Sequence, residues 1–404
     1  MQKRRSLRPY SWCFLLGLFL GGNTTCIQPA EEASNSNSFA GQREITIPTI
    51  DISQDTSRHV VIAQGTENQR QGHPSTLLMP DGSTMYVIWT HGHGGPAGPV
   101  KKSEDGGQTW SELMDVPDSW KEYANCPPLY LLKDSQGKQR LTTYVNRGPN
   151  GFKMYQAELD LGRNEWSSFE PVKIAGRNDT LIADVMPFTA IEPIEDGKKL
   201  LGVTNIRRPY DEGKTNILAQ STSEDGGITW SPWRIILDLG EPYRPCEPEL
   251  IRSPDGKKLL MIIRENERSL NSWIMLSNNE GKTWSEPFQA TASVTMDRHQ
   301  ACYAPDGRLV IVGRDKAEKS PTKEHFVAWV GTYDDLVNGR EGQYRVKLLH
   351  THKSTEYPGL EVLPDGTFVA TNSVSYRANE NHSIVSTRFA LAELDLKIKA
   401  LKNE

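Results

Sequence analysis

Short apolar runs that alternate with polar residues recur along most of the chain, in pairs that flank a tight turn. The first pair is HPSTLLMPDGSTMYVIWT, which begins at His73 and has its turn at Asp81-Gly82. Alternation with a period of two is typical of strands buried on one face, and Asp-Gly between two such runs is typical of a hairpin. The same arrangement begins again at Cys126, Met186, Glu247, Arg298 and Tyr357.

The hairpins recur at a regular interval of roughly fifty to sixty residues. Their turn aspartates stand at Asp81, Asp134, Asp196, Asp255, Asp306 and Asp365. Each interval has room for four strands, and four-stranded sheets repeated around an axis form a propeller. We therefore predict an all-β fold, a six-bladed β-propeller with four-stranded antiparallel blades. We expect the segment RHVVIA, residues 58–63, to close the ring as the outer strand of the last blade.

A second motif, Ser-x-Asp/Asn-x-Gly-x-Thr-Trp, occurs three times and ends at Trp110, Trp230 and Trp284. Asp and Gly are turn residues, and Trp supplies a large apolar group that can pack between neighbouring sheets. We therefore interpret the motif as a structural turn, and we expect Asp105 and Asp225 to be structural rather than catalytic.

The overall charge of the chain limits the class of partner. The net charge of -5 shows no basic bias, so a nucleic-acid partner is not expected.

The basic MQKRRSLR followed by the apolar WCFLLGLFLGG predicts a signal peptide over residues 1–26. The polar residues 27–55 predict a flexible tether, and residues 56–404 the propeller. Cys26 stands where a lipoprotein carries its lipid anchor, but the preceding Asn-Thr-Thr lacks the usual small residue. We expect an exported monomer that is periplasmic, an outer-surface lipoprotein or secreted.

The remaining cysteines do not indicate a disulfide framework or a zinc site. Beyond the predicted signal and Cys26 the chain contains only Cys126, Cys246 and Cys302, an odd number with no zinc-ligand spacing. We expect these thiols to line the core, and we expect neither a metal nor an organic cofactor.

The predicted topology gathers chemically active side chains on one face. The starts of the first strands and the ends of the second strands meet near the axis of a propeller, opposite the hairpin turns. The residues placed there are His73, His91, His93, Asp184, Glu247, Arg264, Arg298, His299, Arg314, Glu356 and Tyr357. Charges are costly to bury unless paired, so the cluster indicates a site for an anionic or polyhydroxylated ligand. The structural alternative is a buried Glu247–Arg264 ion pair, with Arg298 and Arg314 as ties between blades.

The turn motif together with the six hairpins resembles the sialidase (neuraminidase) superfamily over residues 58–394. The segments GHGGPAGP and DRHQACYAPDGRLVIVGRD are similar to those of secreted bacterial exo-sialidase-like proteins. That family uses a Tyr nucleophile, a Glu that accepts the phenol proton, an Asp acid/base and three Arg that bind the sialic acid carboxylate. The resemblance implies that Tyr357 is the nucleophile, Glu247 its base and Arg264 one of the carboxylate-binding arginines.

Two family features are replaced in this chain. Gly72-His73-Pro74 stands in place of the first-blade Arg-Ile-Pro, and the following loop offers His91 and His93 instead of an acidic residue. We therefore expect His93, His91 or Asp184 to protonate the leaving oxygen. Arg298 or Arg314 would complete the carboxylate site, and the further substrate contacts expected are His73, His299 and Glu356.

These residues together predict an exo-α-sialidase-like glycosidase whose substrate is a glycan with an acidic terminal sugar. Two alternatives remain. One is another acidic-glycan hydrolase or a lyase, with acid/base chemistry at His73 and His93. The other is a glycan-binding propeller without catalysis.

Overall fold

The fold was obtained as a computed structural model, which describes residues 41, 44–134, 136–176, 185–207 and 216–401. These residues form six antiparallel sheets arranged as the blades of a propeller, so the predicted fold class is confirmed. The predicted signal peptide, Cys26 and Asp184 lie outside the described residues. Within the ranges given, no helix is both long and apolar enough to cross a membrane.

The blades follow one another along the chain and are numbered here in that order. Blade 1 contains the strands Gln71–Leu78, Met85–His91 and Ala97–Ser103, and blade 2 contains Leu129–Lys133, Gln139–Gly148, Gly151–Asp160, Glu165–Trp166 and Glu170–Pro171. Blade 3 contains Ala190–Ile194, Lys199–Arg207, Asn216–Ser223 and Arg234–Leu237, and blade 4 contains Pro245–Arg252, Leu259–Glu265, Trp273–Ser277 and Phe288–Gln289. Blade 5 contains Met296–Tyr303, Leu309–Asp315, Phe326–Gly331 and Tyr344–Leu349, and blade 6 contains Thr355–Val362, Phe368–Val374, Ser383–Phe389 and His59–Ala63.

Smaller elements complete the described chain. Lys173–Ile174 and Thr229–Trp230 form a short parallel pair, and in blade 1 the outer position is taken by an irregular segment whose Ser111 and Met114 amides bond to the third strand. The α-helices are Tyr333–Val337 and Leu391–Leu401, and 3-10 helices span Thr56–Arg58, Asp118–Glu122 and Ala292–Val294.

The ring is closed by the N-terminal part of the propeller, as the sequence predicts. His59–Ala63 pairs antiparallel with the third strand of blade 6, with His59 opposite Thr387. A further strand, Thr49–Asp51, runs parallel to the outer strand of blade 5. The described propeller therefore includes residues that precede the predicted boundary at residue 56.

The repeated turn motif is structural, as expected. In its first copy the Asp105 carboxylate accepts hydrogen bonds from the Thr109 amide at 2.9 Å, the Thr109 hydroxyl at 2.6 Å and the Ser103 hydroxyl at 2.8 Å. Asp225 bonds in the same way to Ser223 and Thr229. Burial opposes ionisation of Asp105, but these hydrogen bonds outweigh it and lower its pKa to about 2. The motif thus fixes a turn and takes no part in the site.

The first strands are interrupted at the end that faces the axis. In blade 1 the pairing jumps from Gly72 to Ser75 against the second strand, so that two residues oppose one. Equivalent bulges occur between Cys246 and Glu249, Asp297 and Gln300, and Thr355 and Pro358. A bulge changes the direction in which a side chain points. The residues within these bulges include His73, Glu247, Arg298 and Tyr357.

Three of these residues have a left-handed backbone conformation, with φ of 47° at His73, 49° at Glu247 and 54° at Arg298. Cys126, at the equivalent place in blade 2, has φ of 48°. Such a conformation costs a non-glycine residue on the order of 1–3 kcal/mol and is concentrated at functional sites. The strain therefore marks the axial ends of the first strands as a candidate site.

The tryptophan of the second turn motif is a main packing element between blades 2 and 3. Trp230 is completely buried, its ring centroid lies 4.2 Å from that of Phe188, and its indole N–H donates to the Gly227 carbonyl. Tyr144 of blade 2 belongs to the same apolar cluster.

We predict that Trp230→Ala lowers the free energy of unfolding by about 3–5 kcal/mol, because the substitution leaves a cavity between two blades. The measurement is chemical denaturation followed by circular dichroism. Ile235→Ala is the matched control, since Ile235 lies in the same blade with 55% of its surface exposed and should change stability by less than about 0.5 kcal/mol. Equal effects of the two substitutions would contradict the packing role.

Candidate active site

A cavity of about 360 Å³ lies on the face predicted from the topology. Strand ends from blades 1, 2, 3, 4 and 6 contribute to it. It is lined by His73, His93, Gly94, Asn125, Cys126, Arg147, Met186, Asn205, Arg207, Asn216, Arg244, Cys246, Glu247, Arg264, Asn266 and Tyr357. Five of the sequence-predicted site residues thus share one cavity, namely His73, His93, Glu247, Arg264 and Tyr357.

Tyr357 and Glu247 are in direct contact at the cavity wall. The Tyr357 hydroxyl donates a hydrogen bond to Oε1 of Glu247, although 110 residues separate the two in sequence. Arg264 donates to the other carboxylate oxygen of Glu247 at 2.6 Å. Glu247 is buried, so its carboxylate is held in one orientation by a phenol on one side and a guanidinium on the other. A phenol beside a carboxylate can pass its proton to that carboxylate.

Behind this pair, three guanidinium groups converge on the buried carboxylate of Asp297. The contacts come from Arg264 Nε at 2.8 Å, Arg268 at 3.0 Å and Arg314. Burial opposes ionisation of Asp297, but the three positive charges outweigh it and hold the pKa of this carboxyl well below its usual range. The arrangement links Arg264 and Arg314 rigidly, and it leaves three positive charges around one internal negative charge.

On the opposite side of Tyr357 lies a histidine cluster. The His73 ring stacks on the Tyr357 ring with centroids 4.5 Å apart. His73 Nε2 lies 3.0 Å from Nδ1 of His93, and that nitrogen lies 2.9 Å from Oε1 of Glu356. Arg70 also donates to Oε1 of Glu356. Burial lowers the pKa of His73 to about 4, so its imidazole is neutral at physiological pH.

The other sequence-predicted residues lie outside the described lining of the main cavity. Arg298 reaches beneath Tyr357, with its guanidinium carbon 5.7 Å from the ring centroid, and donates to the Thr189 carbonyl at 3.0 Å. Arg314 bonds to Asp297 and to the Thr355 carbonyl. His91 contacts the side chains of Gln69 and Gln71, whereas His299 is buried beside the Val294 carbonyl.

Two residues that shape the site were assigned no role from the sequence: Asp297, which the topology places among the first-strand starts, and Arg70. Asp297 directly precedes Arg298 just as Glu356 directly precedes Tyr357, so the register of the repeats could have identified it. The family signature has its arginine at the position of Gly72. Arg70 lies two residues earlier in this chain, and the Arg70 side chain contacts Glu356. Its role follows from the fold rather than from the motif.

A second polar cavity of about 220 Å³ lies along the first strands below the main one. Its lining includes Tyr130, Glu249, Arg298 and Gln300. Glu249 is buried and accepts a hydrogen bond from Gln300 at 2.9 Å. Burial raises the pKa of Glu249 to about 8, because the nearby Arg298 charge and the hydrogen bonds only partly compensate the loss of water.

Comparisons with known proteins give a family for the chain and structures of similar fold. The family model described as BNR repeat-like domain matches residues 131–369, more than half of the chain. No curated protein sequence matches the chain.

Three solved structures are similar in fold. A protein of unknown function from Dyadobacter fermentans has a TM-score of 0.63 at 16% identity, over 82% of this chain and 97% of its own. An intramolecular trans-sialidase from Ruminococcus gnavus, in complex with oseltamivir carboxylate, has a TM-score of 0.56 at 15% identity, over 83% and 98%. The Trypanosoma rangeli sialidase, in complex with sialic acid, has a TM-score of 0.55 at 13% identity, over 85% and 60%. The resemblance to the sialidase superfamily is thereby confirmed at the level of the fold.

We predict that Glu249 makes stability depend on pH. Folding raises the pKa of this carboxyl from about 4.5 to about 8. Below pH 4.5 the group is protonated in both states and does not lower the free energy of unfolding. As pH rises from there toward 8, the unfolded state loses its proton more readily, so the free energy of unfolding falls. Glu249→Gln should remove this loss, so the variant should exceed the wild type in stability by a few kcal/mol at pH 9 and be close to it at pH 4.5. Thermal unfolding at both pH values provides the measurement. A difference that does not change with pH would contradict the prediction.

Proposed function

The chain belongs to the BNR repeat-like domain family, and on this basis we propose that it is a glycosidase of the sialidase type. Its substrate would be a glycan that ends in sialic acid or a related acidic sugar. The observation that carries the proposal is the direct hydrogen bond from the Tyr357 hydroxyl to Glu247 in the wall of the axial cavity.

The first chemical step follows from this pair. The Tyr357 oxygen forms a bond to the anomeric carbon while the glycosidic C–O bond breaks, and Glu247 takes the phenol proton. A neutral phenol suits this role, because an anionic nucleophile would be repelled by a carboxylate at the anomeric carbon. Water then attacks the same carbon and gives one proton to the group that protonated the leaving oxygen in the first step. The tyrosine oxygen leaves, and Glu247 returns the phenol proton to it.

Protonation of the leaving oxygen needs a second group on the cavity wall. Of the candidates within the described residues, His93 lines the cavity, whereas His91 is turned toward Gln69 and Gln71. We assign this role to His93. General acid assistance typically contributes 10²–10⁴-fold to the rate.

The arginine cluster supports an acidic substrate. Arg264 lines the cavity, and the charges of Arg268 and Arg314 lie immediately behind it on Asp297. Arg264 contacts the carboxylates of Glu247 and Asp297, and Arg268 and Arg314 contact that of Asp297. This concentration of guanidinium groups on one side of the cavity would attract a substrate carboxylate. Arg147, Arg207 and Arg244 also line the cavity, and Arg244 is paired with Glu267 at 3.0 Å.

A second candidate function, that of a lyase, is favoured by the stack of His73 on Tyr357. In that reaction a base removes the proton next to a uronic acid carboxylate, the C–O bond to the neighbouring sugar breaks, and an unsaturated sugar results. The leaving oxygen takes a proton from an acid. Histidine and tyrosine can serve as such a base and acid.

We predict that Tyr357→Phe lowers the turnover of an aryl α-sialoside by at least about 10³-fold, because the nucleophilic oxygen is removed. Glu247→Gln should cost about 10²–10⁴-fold, since the proton acceptor is lost. Release of the chromophore provides the measurement. Tyr376→Phe is the matched control, because this tyrosine of blade 6 bonds to His59 through its hydroxyl, away from the cavity.

Retention of most of the sialoside turnover in Tyr357→Phe would contradict the nucleophile assignment. If the wild type releases no sialic acid but generates a product that absorbs in the ultraviolet from a uronic acid oligosaccharide, the lyase is correct instead. Binding of acidic glycans without any product would contradict both enzymatic functions.

A further inference from the structure

A feature that the proposed chemistry leaves unexplained is the convergence of three electron-pair donors beside the cavity. These are Nε2 of His73, Nδ1 of His93 and the carboxylate of Glu356. Nδ1 of His93 lies 3.0 Å from the histidine nitrogen and 2.9 Å from Oε1 of Glu356. Nε2 of His73 lies 3.9 Å from Oε2 of Glu356.

Hydrogen bonding alone does not satisfy this arrangement. Nδ1 of a histidine carries at most one hydrogen, yet Nδ1 of His93 has two partners at hydrogen-bond distance. If that hydrogen points to Glu356, the contact with His73 has to share it. If His73 donates its own hydrogen to His93 instead, the lone pair of His93 faces a carboxylate oxygen. In either arrangement one of the two short contacts lacks a full hydrogen bond.

A cation among the three atoms would satisfy all of them. Ligand atoms about 2.1 Å from a zinc ion, at the angles of tetrahedral to octahedral coordination, are roughly 3.0–3.4 Å apart. The two contacts made by His93 are close to this range. We propose that His73, His93 and Glu356 bind a divalent transition-metal ion of the zinc class.

The chemistry of the three ligands selects the class of metal. Two imidazoles and one carboxylate suit zinc and its neighbours in the first transition row, whereas calcium and magnesium prefer oxygen ligands. Three protein ligands would leave a fourth coordination position for water or substrate, and two of the three, His73 and His93, line the cavity.

Hydrogen bonds from neighbouring groups fix the orientation of the Glu356 carboxylate, as is usual for a metal ligand. Its Oε2 accepts hydrogen bonds from the Ser373 hydroxyl and the His73 amide, both at 3.1 Å, and Arg70 donates to Oε1. Outer hydrogen bonds of this kind orient the carboxylate ligands of metals. The Arg70 charge repels a cation, so the affinity should be lower than at a site without it.

Binding requires two local rearrangements. The 3.9 Å between Nε2 of His73 and Oε2 of Glu356 has to shorten, and the hydrogen of His73 has to change its position. With the ion on Nε2, the hydrogen of His73 lies on Nδ1, where Sγ of Cys126 at 3.4 Å can accept it. The Gly94 amide, now 3.2 Å from Nδ1, has to move away. Gly92 and Gly94 already have positive φ values of 84° and 63°, so the loop that carries His93 has the freedom to move.

The effect of the ion on activity rests on the proposed function, whereas its binding does not. An ion bound to Nδ1 of His93 would hold this imidazole in place and keep it from donating a proton to the leaving oxygen. The ion would also lie in the cavity wall beside Tyr357. We therefore expect zinc to inhibit hydrolysis of glycans.

The direct test is a zinc titration of chelator-treated protein against a chromophoric competitor. One equivalent of zinc should bind, and His93→Gln should weaken binding by more than the 10–100-fold typical of losing an outer partner. His93 has a side chain that is 71% exposed, so its substitution should not disturb folding. The matched control is His91→Gln in the same loop, which should bind zinc like the wild type.

Two further variants locate the ion. Glu356→Gln should weaken binding as His93→Gln does, with thermal unfolding as a check that the variant is folded. Cys126→Ser should change the affinity little, because its sulfur contacts the far nitrogen of His73. Cobalt in place of zinc should give visible absorption bands that disappear in His93→Gln.

Equal zinc affinity in the wild type and His93→Gln would overturn the proposed metal site, and so would loss of binding in Cys126→Ser or His91→Gln. These outcomes are independent of any sugar. Zinc binding without inhibition of a sialoside-hydrolysing wild type would leave the site intact and contradict His93 as the proton donor.

Discussion

The site depends on an interruption of the inner strands at one level of the propeller. In blades 1, 4, 5 and 6 the first strand contains a bulge where it reaches the axis, and the bulges hold His73, Glu247, Arg298 and Tyr357. A regular ladder would turn alternate side chains toward the neighbouring blades. The bulge turns a phenol, a carboxylate and an imidazole toward one cavity instead. The left-handed conformations are maintained because buried strands fix the chain on either side.

A second feature of the site is the pairing of buried carboxylates with cationic side chains around the axis. Asp297 binds three guanidinium groups, and Glu356 binds one guanidinium together with two histidines. Asp297 immediately precedes the bulge of blade 5, and Glu356 lies within the bulge of blade 6 beside Tyr357. Groups that are oriented in advance need little reorganisation when charge develops on a substrate. A buried network of this kind therefore favours one fixed geometry over conformational freedom.

Much of the fold could be predicted because its signals are local. Asp-Gly turns at a steady interval specify the hairpins, and the strand that closes the ring is visible as a lone β-rich segment before the first repeat. The site was predicted as a set of strand ends, and the family resemblance added the pairing of Tyr357 with Glu247. His73, His93, Glu247, Arg264 and Tyr357 share one cavity, as the topology indicates.

The rest could not be predicted because it depends on side-chain direction. His299 follows Arg298 in sequence, but the bulge buries its ring beside Val294 instead of turning it to the cavity. Arg70 precedes the motif position, yet its long side chain brings its charge to Glu356. The placement of Asp184 and of the predicted signal peptide lies outside the described residues, and both stay predictions.

The closure of the ring has a consequence for the order in which the protein is made. The sheet that holds Tyr357 is completed by His59–Ala63, which the ribosome synthesises long before Tyr357. Its partner Glu247 is made between the two. A polypeptide that ends before residue 357 therefore lacks the phenol of the phenol–carboxylate pair. The sheet around Tyr357 is complete only when the N-terminal and C-terminal parts of the propeller have paired.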